Sequence, residues 1–189
     1  IDYENKKVAV IGSGATAVTL IPEIAKKASH VTMIQRSPTY IASAPSKYKI
    51  LHLLNYISPK LGYKIIRFTN ILRQRRIYRR AMRSPELVKN YLLDLVRDEL
   101  PGFDVEKHFT PTYNPWEQRL CLAPDSDFFE SINQKRVSVE TETIDSFSEK
   151  GVQLDSGKLI EADIIVTATG IKLQNFGGIR IFVDENEID

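Results

Sequence analysis

Two glycines flanking a serine, Gly12-Ser13-Gly14, with Ala17 three residues further on, put small residues where a chain turns sharply beside a bulky anion. Each has its own task. Gly12 permits the tight turn, Gly14 lets backbone approach a pyrophosphate with no Cβ between, and Ala17 lets a helix lie close to a sheet. The amides of Ala15, Thr16 and Ala17, in a first helical turn, lack acceptors inside the helix and point at an anion. Taken alone, G-x-G-x-x-A is also the pattern of a plain turn between strand and helix. Roughly twenty residues downstream, where a carboxylate would hold a ribose 2′-hydroxyl, the chain has Gln35, Arg36 and Ser37. A carboxylate would repel a 2′-phosphate, whereas Arg36 can grip it with charge-assisted bonds, so the pattern favours NADPH over NADH. The competing reading makes Arg36 an ordinary cation at a strand end. Metal chemistry finds no support. Cys121 is the single cysteine, which excludes an internal disulfide, and His30, His52 and His108 are scattered without ligand spacing.

The elements that must position these groups follow from periodicity. Val8 to Ile11 is an unbroken apolar run, as befits a strand covered on both faces. Ala15 to Ala28 is predicted helical, with Val18, Ile21, Ile24, Ala25 and Ala28 on one face and a bend at Pro22. His30 to Gln35 is the second strand, completing a βαβ unit. From 41 to 102 the pattern becomes helical, an insertion with starts at Ser58-Pro59 and Ser84-Pro85. Leu61, Ile65, Phe68 and Leu72 give the first helix an apolar face; Leu87, Tyr91 and Leu95, with Leu92 and Val96, do so for the second. Pro101 to Pro124 reads as an irregular aromatic loop, either a site loop or a clasp. Asp125 is placed to cap a short helix through Phe128, Phe129 and Ile132. Val137 to Glu140, Ile144 to Ser148, Gly151 to Leu154 and Lys158 to Glu161 suggest a small antiparallel meander. Ala162 to Thr167 reads as a fully buried strand ending in Ala168-Thr169-Gly170, and Gly177-Gly178 precedes a strand at Ile179 to Val183. The fold class is therefore α/β, a Rossmann-like FAD/NAD(P)-binding domain with a central parallel sheet, an antiparallel meander and a helical insertion.

The 189 residues, 42% hydrophobic, suffice for one domain with an insertion. A net charge of +2 conceals an asymmetry: Ile24 to Pro85 holds fourteen Lys or Arg and no Asp or Glu. The densest part, Lys64 to Arg83, could face nucleic acid, anionic lipid or a phosphorylated cofactor, or dock on an acidic neighbour. The last reading is preferred; nucleic acid is not expected, and peripheral membrane contact stays open. No apolar run is long enough for a membrane span, and the first residues are too polar for a signal peptide. A chain that starts without methionine, just before its first strand, is expected to be a segment of something longer, and its lone cysteine suits the cytoplasm.

VAVIGSGATA (Val8 to Ala17), QRSPTY (Gln35 to Tyr40), HFTPTYNPWEQRLC (His108 to Cys121), PDSDFF (Pro124 to Phe129) and ADIIVTATG (Ala162 to Gly170) together resemble flavin-dependent monooxygenases of the Baeyer-Villiger group, the ethionamide-activating type closest. The resemblance covers nearly the whole chain. It implies an NADPH-binding domain over residues 1–170, with 171–189 returning toward an FAD-binding domain that carries its own glycine motif and the family fingerprint. The parent would then be an oxidoreductase that uses NADPH, FAD and dioxygen to form a flavin C4a peroxide, inserting oxygen into a ketone or oxidising a sulfur or nitrogen heteroatom. This segment alone would be inactive. By the same resemblance Gly12, Ser13, Gly14, Ala15, Thr16 and Ala17 hold the NADPH pyrophosphate and Arg36 and Ser37 the 2′-phosphate. Ala168, Thr169 and Gly170 form a hinge toward the flavin domain. Arg119 matches the family's active-site arginine, which stabilises the anionic flavin peroxide; its competing reading is a salt-bridge arginine. Gln118 stands where the family often has a nucleotide-touching lysine. The alternatives are another two-dinucleotide flavoprotein, of N-hydroxylase or disulfide-reductase type, and a non-catalytic nucleotide or anionic-lipid binding module.

Overall fold

The structure, a computed structural model, describes residues 1–47, 58–171 and 174–188; His52 lies outside them. In chain order the strands and α-helices are β1 (Lys7–Ile11), α1 (Ala15–Ile24), β2 (His30–Gln35), β3 (Tyr40–Ala44), α2 (Pro59–Arg83), α3 (Pro85–Glu99), α4 (Val105–Phe109), β4 (Leu120–Pro124) and α5 (Asp127–Asn133). They continue with β5 (Val137–Thr141), β6 (Ile144–Ser148), β7 (Gly151–Leu154), β8 (Leu159–Glu161), β9 (Ile164–Thr167), β10 (Ile181–Val183) and β11 (Asn186–Ile188).

The main sheet is parallel, in the order β5-β2-β1-β9, with Val8 to Ile11 aligned on Val31 to Ile34 and on Ile164 to Thr167. Side chains alternate across it. Val8, Val10, Val31, Met33, Val137 and Val139 share one core with Ala17, Val18 and Ile21 of α1, Phe109 of α4, and Phe128 and Phe129 of α5. Ala9 and Ile34 join Val152, Leu154 and Ile160 of the meander in a second cluster. One sheet is thus covered by helices on one side and by β6-β7-β8 on the other. α1 buries the face its spacing predicts, runs on through Pro22 and ends two residues later.

Several expectations are corrected. Val137–Thr141 does not belong to the meander but is the outer parallel strand beside β2. The presumed loop from Pro101 to Pro124 contains α4 and β4, and β4 pairs in parallel with β3, a two-stranded element that opens and closes the helical insertion. In α3 the buried residues are Val88, Leu92, Leu93 and Val96, while Leu87 and Tyr91 face solvent. β9 lies at the sheet edge and is only half buried, because the meander does not cover Ile165 and Thr167. Asp125 does not cap α5. Its carboxylate accepts from the Ser46 amide at 2.9 Å, and Ser126 occupies the N-cap in a left-handed conformation. The expected late strand is one arm of a hairpin, β10 with β11.

The helix starts hold. Ser58 accepts from the Leu61 amide at 3.4 Å with Pro59 next in line, and Ser84-Pro85 opens α3. Yet α2 buries only Gly62 and Ala81 among its residues, leaving Leu61, Ile65 and Phe68 exposed. It is anchored by a small cluster of Ala81 with Tyr40, Ala42, Val88 and Leu92 and by the contact of Tyr78 with Trp116. Among the described residues no helix is long and apolar enough to cross a membrane.

Candidate functional site

At the carboxyl ends of β1 and β2 the chain leaves a cleft of about 640 Å³, the position at which open parallel sheets bind their ligands. Its lining includes Gly12, Ser13, Gly14, Ala15, Thr16, Arg36, Ser37, Arg119, Ala168, Thr169 and Gly170. Of the residues the sequence assigned to cofactor binding or catalysis, only Ala17 is missing from the wall. It is fully buried in the core between α1 and the sheet, which is the packing task its small size suggested.

The two glycines differ in kind. Gly12 has φ +123°, and a Cβ there would stand 2.4 Å from the carbonyl oxygen of Ala168. The chain's own packing demands glycine, because the Gly12 amide donates to Ile34 O at 2.8 Å and the Ala168 amide to Ile11 O at 2.7 Å, pinning both sides of that contact. At Gly14 a Cβ would meet nothing within 4 Å, and its backbone is extended with φ −80°. Nothing inside the chain calls for glycine there; the open space lies where a ligand's phosphates would approach. α1 begins at that residue without a side-chain cap and without an acidic residue in its first turn. Its free amides and dipole therefore face the cleft unopposed. These features fit a dinucleotide.

Arg36 and Ser37 are exposed just past the end of β2. Gln35 also lines the cleft, but its side-chain amide is engaged away from it. Its side chain turns to the helix side, where Nε2 donates to His108 O at 2.7 Å and to Thr141 Oγ1 at 2.8 Å. His108 in turn sets Nδ1 against Thr141 Oγ1 at 2.8 Å, and burial holds its pKa below the ordinary value. His30 starts β2 as expected, with Nε2 at 2.9 Å from Ser138 Oγ. Among the described residues no His, Cys, Asp or Glu cluster could hold a metal ion. Cys121 is a buried free thiol whose pKa burial raises.

Arg119 makes no salt bridge among the described residues. Its Nε donates to Thr39 Oγ1 at 2.9 Å, and one terminal nitrogen reaches Ser13 Oγ at 3.4 Å, inside the glycine turn. Gln118 is exposed and does not line the cleft. The loop before it is a clasp: Glu117 takes the Asn114 amide at 2.8 Å, and Trp116, with φ 70°, packs edge-on against Tyr78 of α2. Sequence reasoning missed Thr39 and Tyr113, which surround Arg119, and missed Glu142 on the cleft wall. Glu142 is bonded to Ser156, which lowers its pKa.

No protein-family model matches the chain. Over 192 residues it is 47% identical to FAD-containing monooxygenase EthA of Mycobacterium tuberculosis, covering 100% of this chain and 39% of that protein. It is 49% identical over 191 residues to probable FAD-binding monooxygenase AlmA of Acinetobacter baylyi, covering 100% of this chain and 38% of the relative. Among solved structures, oxidized steroid monooxygenase bound to NADP superimposes with a TM-score of 0.68 at 19% identity, over 90% of this chain and 40% of that one. OTEMO in complex with FAD and NADP does so with a TM-score of 0.66 at 18% identity, over 90% and 39%. These structures establish the fold. The chain spans less than two fifths of the length of the curated relatives it matches.

Proposed function

We propose, for a chain whose homologues are FAD-containing monooxygenases, that it is the NADPH-binding domain of such an enzyme. The observation that carries the reading is the convergence of the glycine turn, Arg36 and Arg119 on one cleft. The parent enzyme would use dioxygen to insert one oxygen atom into a ketone or to oxidise a sulfur or nitrogen heteroatom of a small molecule. FAD, held mainly by a partner domain of the same protein, supplies the redox and oxygen chemistry when bound. This chain's residues do the holding. Gly14 and the amides of Ala15 and Thr16 receive the NADPH pyrophosphate, and Arg36 with Ser37 the 2′-phosphate. Arg119 presents a permanent positive charge beside the turn, where charge on the reacting groups must be stabilised. Ala168-Thr169-Gly170, whose first residue packs against Gly12, serves as the hinge toward the flavin domain.

α2 supports a docking role within the parent protein. Leu61, Ile65, Phe68 and Leu72 lie on one stripe at helical spacing, and Arg75, Arg76, Arg79 and Arg83 continue it. A bilayer asks for one apolar face along the whole helix, whereas a stripe that changes from apolar to cationic suits a protein surface with a matching change. The buried reduced cysteine supports a cytoplasmic setting. The disulfide-reductase alternative is disfavoured within this chain by the lack of a second cysteine.

The test is nucleotide choice. Arg36→Ala removes a charge-assisted contact of about 1.5 to 3 kcal/mol, and calorimetry should show NADP⁺ affinity falling roughly ten- to a hundredfold with NAD⁺ little changed. Equal losses for both nucleotides would refute the assignment of Arg36.

A further inference from the structure

Arg119 is exposed, yet it is tethered at two atoms. Its Nε–H donates to Thr39 Oγ1 at 2.9 Å, and its carbonyl oxygen accepts from Tyr113 Oη at 3.1 Å. Thr39 Oγ1 and Tyr113 Oη are themselves 2.9 Å apart. The proton count closes. Tyr113 gives its single hydroxyl proton to the Arg119 carbonyl, so the Thr39 hydroxyl donates to Tyr113 Oη while accepting from Arg119 Nε. Every member of this three-residue ring donates once and accepts once. Thr39 has no exposed surface, so its hydroxyl has no water to fall back on. Tyr113 is fixed from behind, because Tyr40 Oη donates to its carbonyl at 2.7 Å and the two rings meet edge-on at 5.4 Å. Arg36, on the same cleft, makes no side-chain hydrogen bond among the described residues, which shows that location alone does not impose such a ring.

We infer that Thr39 and Tyr113 are positioning residues that fix the Arg119 guanidinium beside the glycine turn, so that its charge is in place before the nucleotide arrives. The inference rests on the proposed nucleotide cleft. Using Nε for the tether leaves the terminal nitrogens for the cleft, one of them already within 3.4 Å of Ser13 Oγ. Lysine could not substitute, since a single ammonium cannot both fill the Thr39 bond and present a planar edge outward. A guanidinium held by packing and second hydrogen bonds is the arrangement a preorganised charge requires.

The test uses the ¹⁵N-labelled chain and follows arginine Nε–H exchange by NMR, with the Arg119 signal identified by its loss in Arg119→Lys. In the unaltered chain the Arg119 Nε–H should exchange at least about tenfold more slowly than that of Arg36. Thr39→Val, which keeps shape and removes the hydroxyl, should erase that protection and weaken NADP⁺ binding by about three- to tenfold. Thr39→Ser should retain both, and Tyr113→Phe should give a partial loss; a thermal melt of each variant separates these effects from misfolding. Unchanged Arg119 exchange in a folded Thr39→Val would overturn the clamp. Lost protection with full NADP⁺ affinity would overturn the positioning role. Failure of the unaltered chain to bind NADP⁺ would instead refute the nucleotide reading, while the exchange comparison still judges the clamp.

Discussion

Substituting each of the two glycines of the turn by alanine separates what the chain needs from what its ligand needs. In Gly12→Ala the new methyl would stand 2.4 Å from Ala168 O and 2.8 Å from Ala168 C, backbone atoms of a residue whose amide is held by Ile11 O. The backbone at φ +123° is also one that alanine resists. A strained backbone conformation costs on the order of 1 to 3 kcal/mol, and overpacking against an unyielding neighbour costs a similar amount, about 1 to 3 kcal/mol. The sum, about 2 to 6 kcal/mol, is a large fraction of the roughly 5 to 15 kcal/mol that stabilises a domain. Gly14→Ala meets nothing within 4 Å at an ordinary φ. Reduced freedom of the unfolded chain favours the variant by about 0.4 to 1 kcal/mol, and the poorer helix cap opposes it by a comparable amount, so stability should barely move. NADP⁺ affinity should nevertheless collapse, because the methyl occupies the space a pyrophosphate would approach. Urea unfolding followed by circular dichroism, and calorimetry with NADP⁺, read the two effects separately. A Gly14→Ala chain that binds NADP⁺ as tightly as the original would refute the assignment of that space to a phosphate, and an undiminished unfolding midpoint in Gly12→Ala would refute the packing argument.

His108 makes stability depend on pH. Its pKa lies below the ordinary 6.5, chiefly through burial and then through Lys107, against the opposing pull of Asp104 and Glu140. A depressed folded pKa means that the unfolded chain takes up the proton first as pH falls below 6.5, so stability is full above that value and declines down to the folded pKa. Urea midpoints across this window should fall more in the unaltered chain than in His108→Gln, and parallel curves would exclude the effect. In α2, reversing Arg75, Arg76, Arg79 and Arg80 to Glu should leave NADP⁺ affinity unchanged while impairing assembly of the parent enzyme. Intact assembly with a loss of binding to anionic vesicles would favour a membrane role.

The phosphate turn was legible because its demands are local. A buried run, two glycines and an alanine fall within eleven residues, so β1, β2 and the start of α1 emerge close to their true limits, whereas α1 stops at Ile24, short of the expected Ala28. The surroundings of Arg119 were not legible, because Thr39 and Arg119 are 80 residues apart and meet only through the parallel pairing of β3 with β4. No local periodicity reports which short strand finds which partner. The same limit put β5 in the meander: Val137 and Val139 alternate as any half-buried strand does, and only the pairing with β2 assigns them to the main sheet. Strand alternation sends the Gln35 side chain, like that of Met33, to the helix side, which its place next to Arg36 in the sequence does not reveal. In α2 and α3 helical spacing gave the helices correctly but not which of their stripes would be covered, since that depends on neighbours distant in the chain.

The β3–β4 pair has a consequence for how this protein can vary and how it assembles. It acts as a neck, joining Tyr40–Ala44 to Leu120–Pro124 side by side, so α2 belongs to an excursion that departs and returns at the same place, while α3 and α4 pack back onto the main core. The entropic cost of closing such an excursion grows only with the logarithm of its length, each doubling adding about 0.6 kcal/mol. α2, which buries only Gly62 and Ala81, can therefore change its length and surface at little thermodynamic expense, while α3 and α4 are held by the core and Thr39 and Arg119, on the cleft side of the neck, keep their spacing. The liability is kinetic. A contact of such high sequence separation forms only after the intervening chain has been gathered in, so the neck, and with it the placement of Arg119, belongs among the late events of folding.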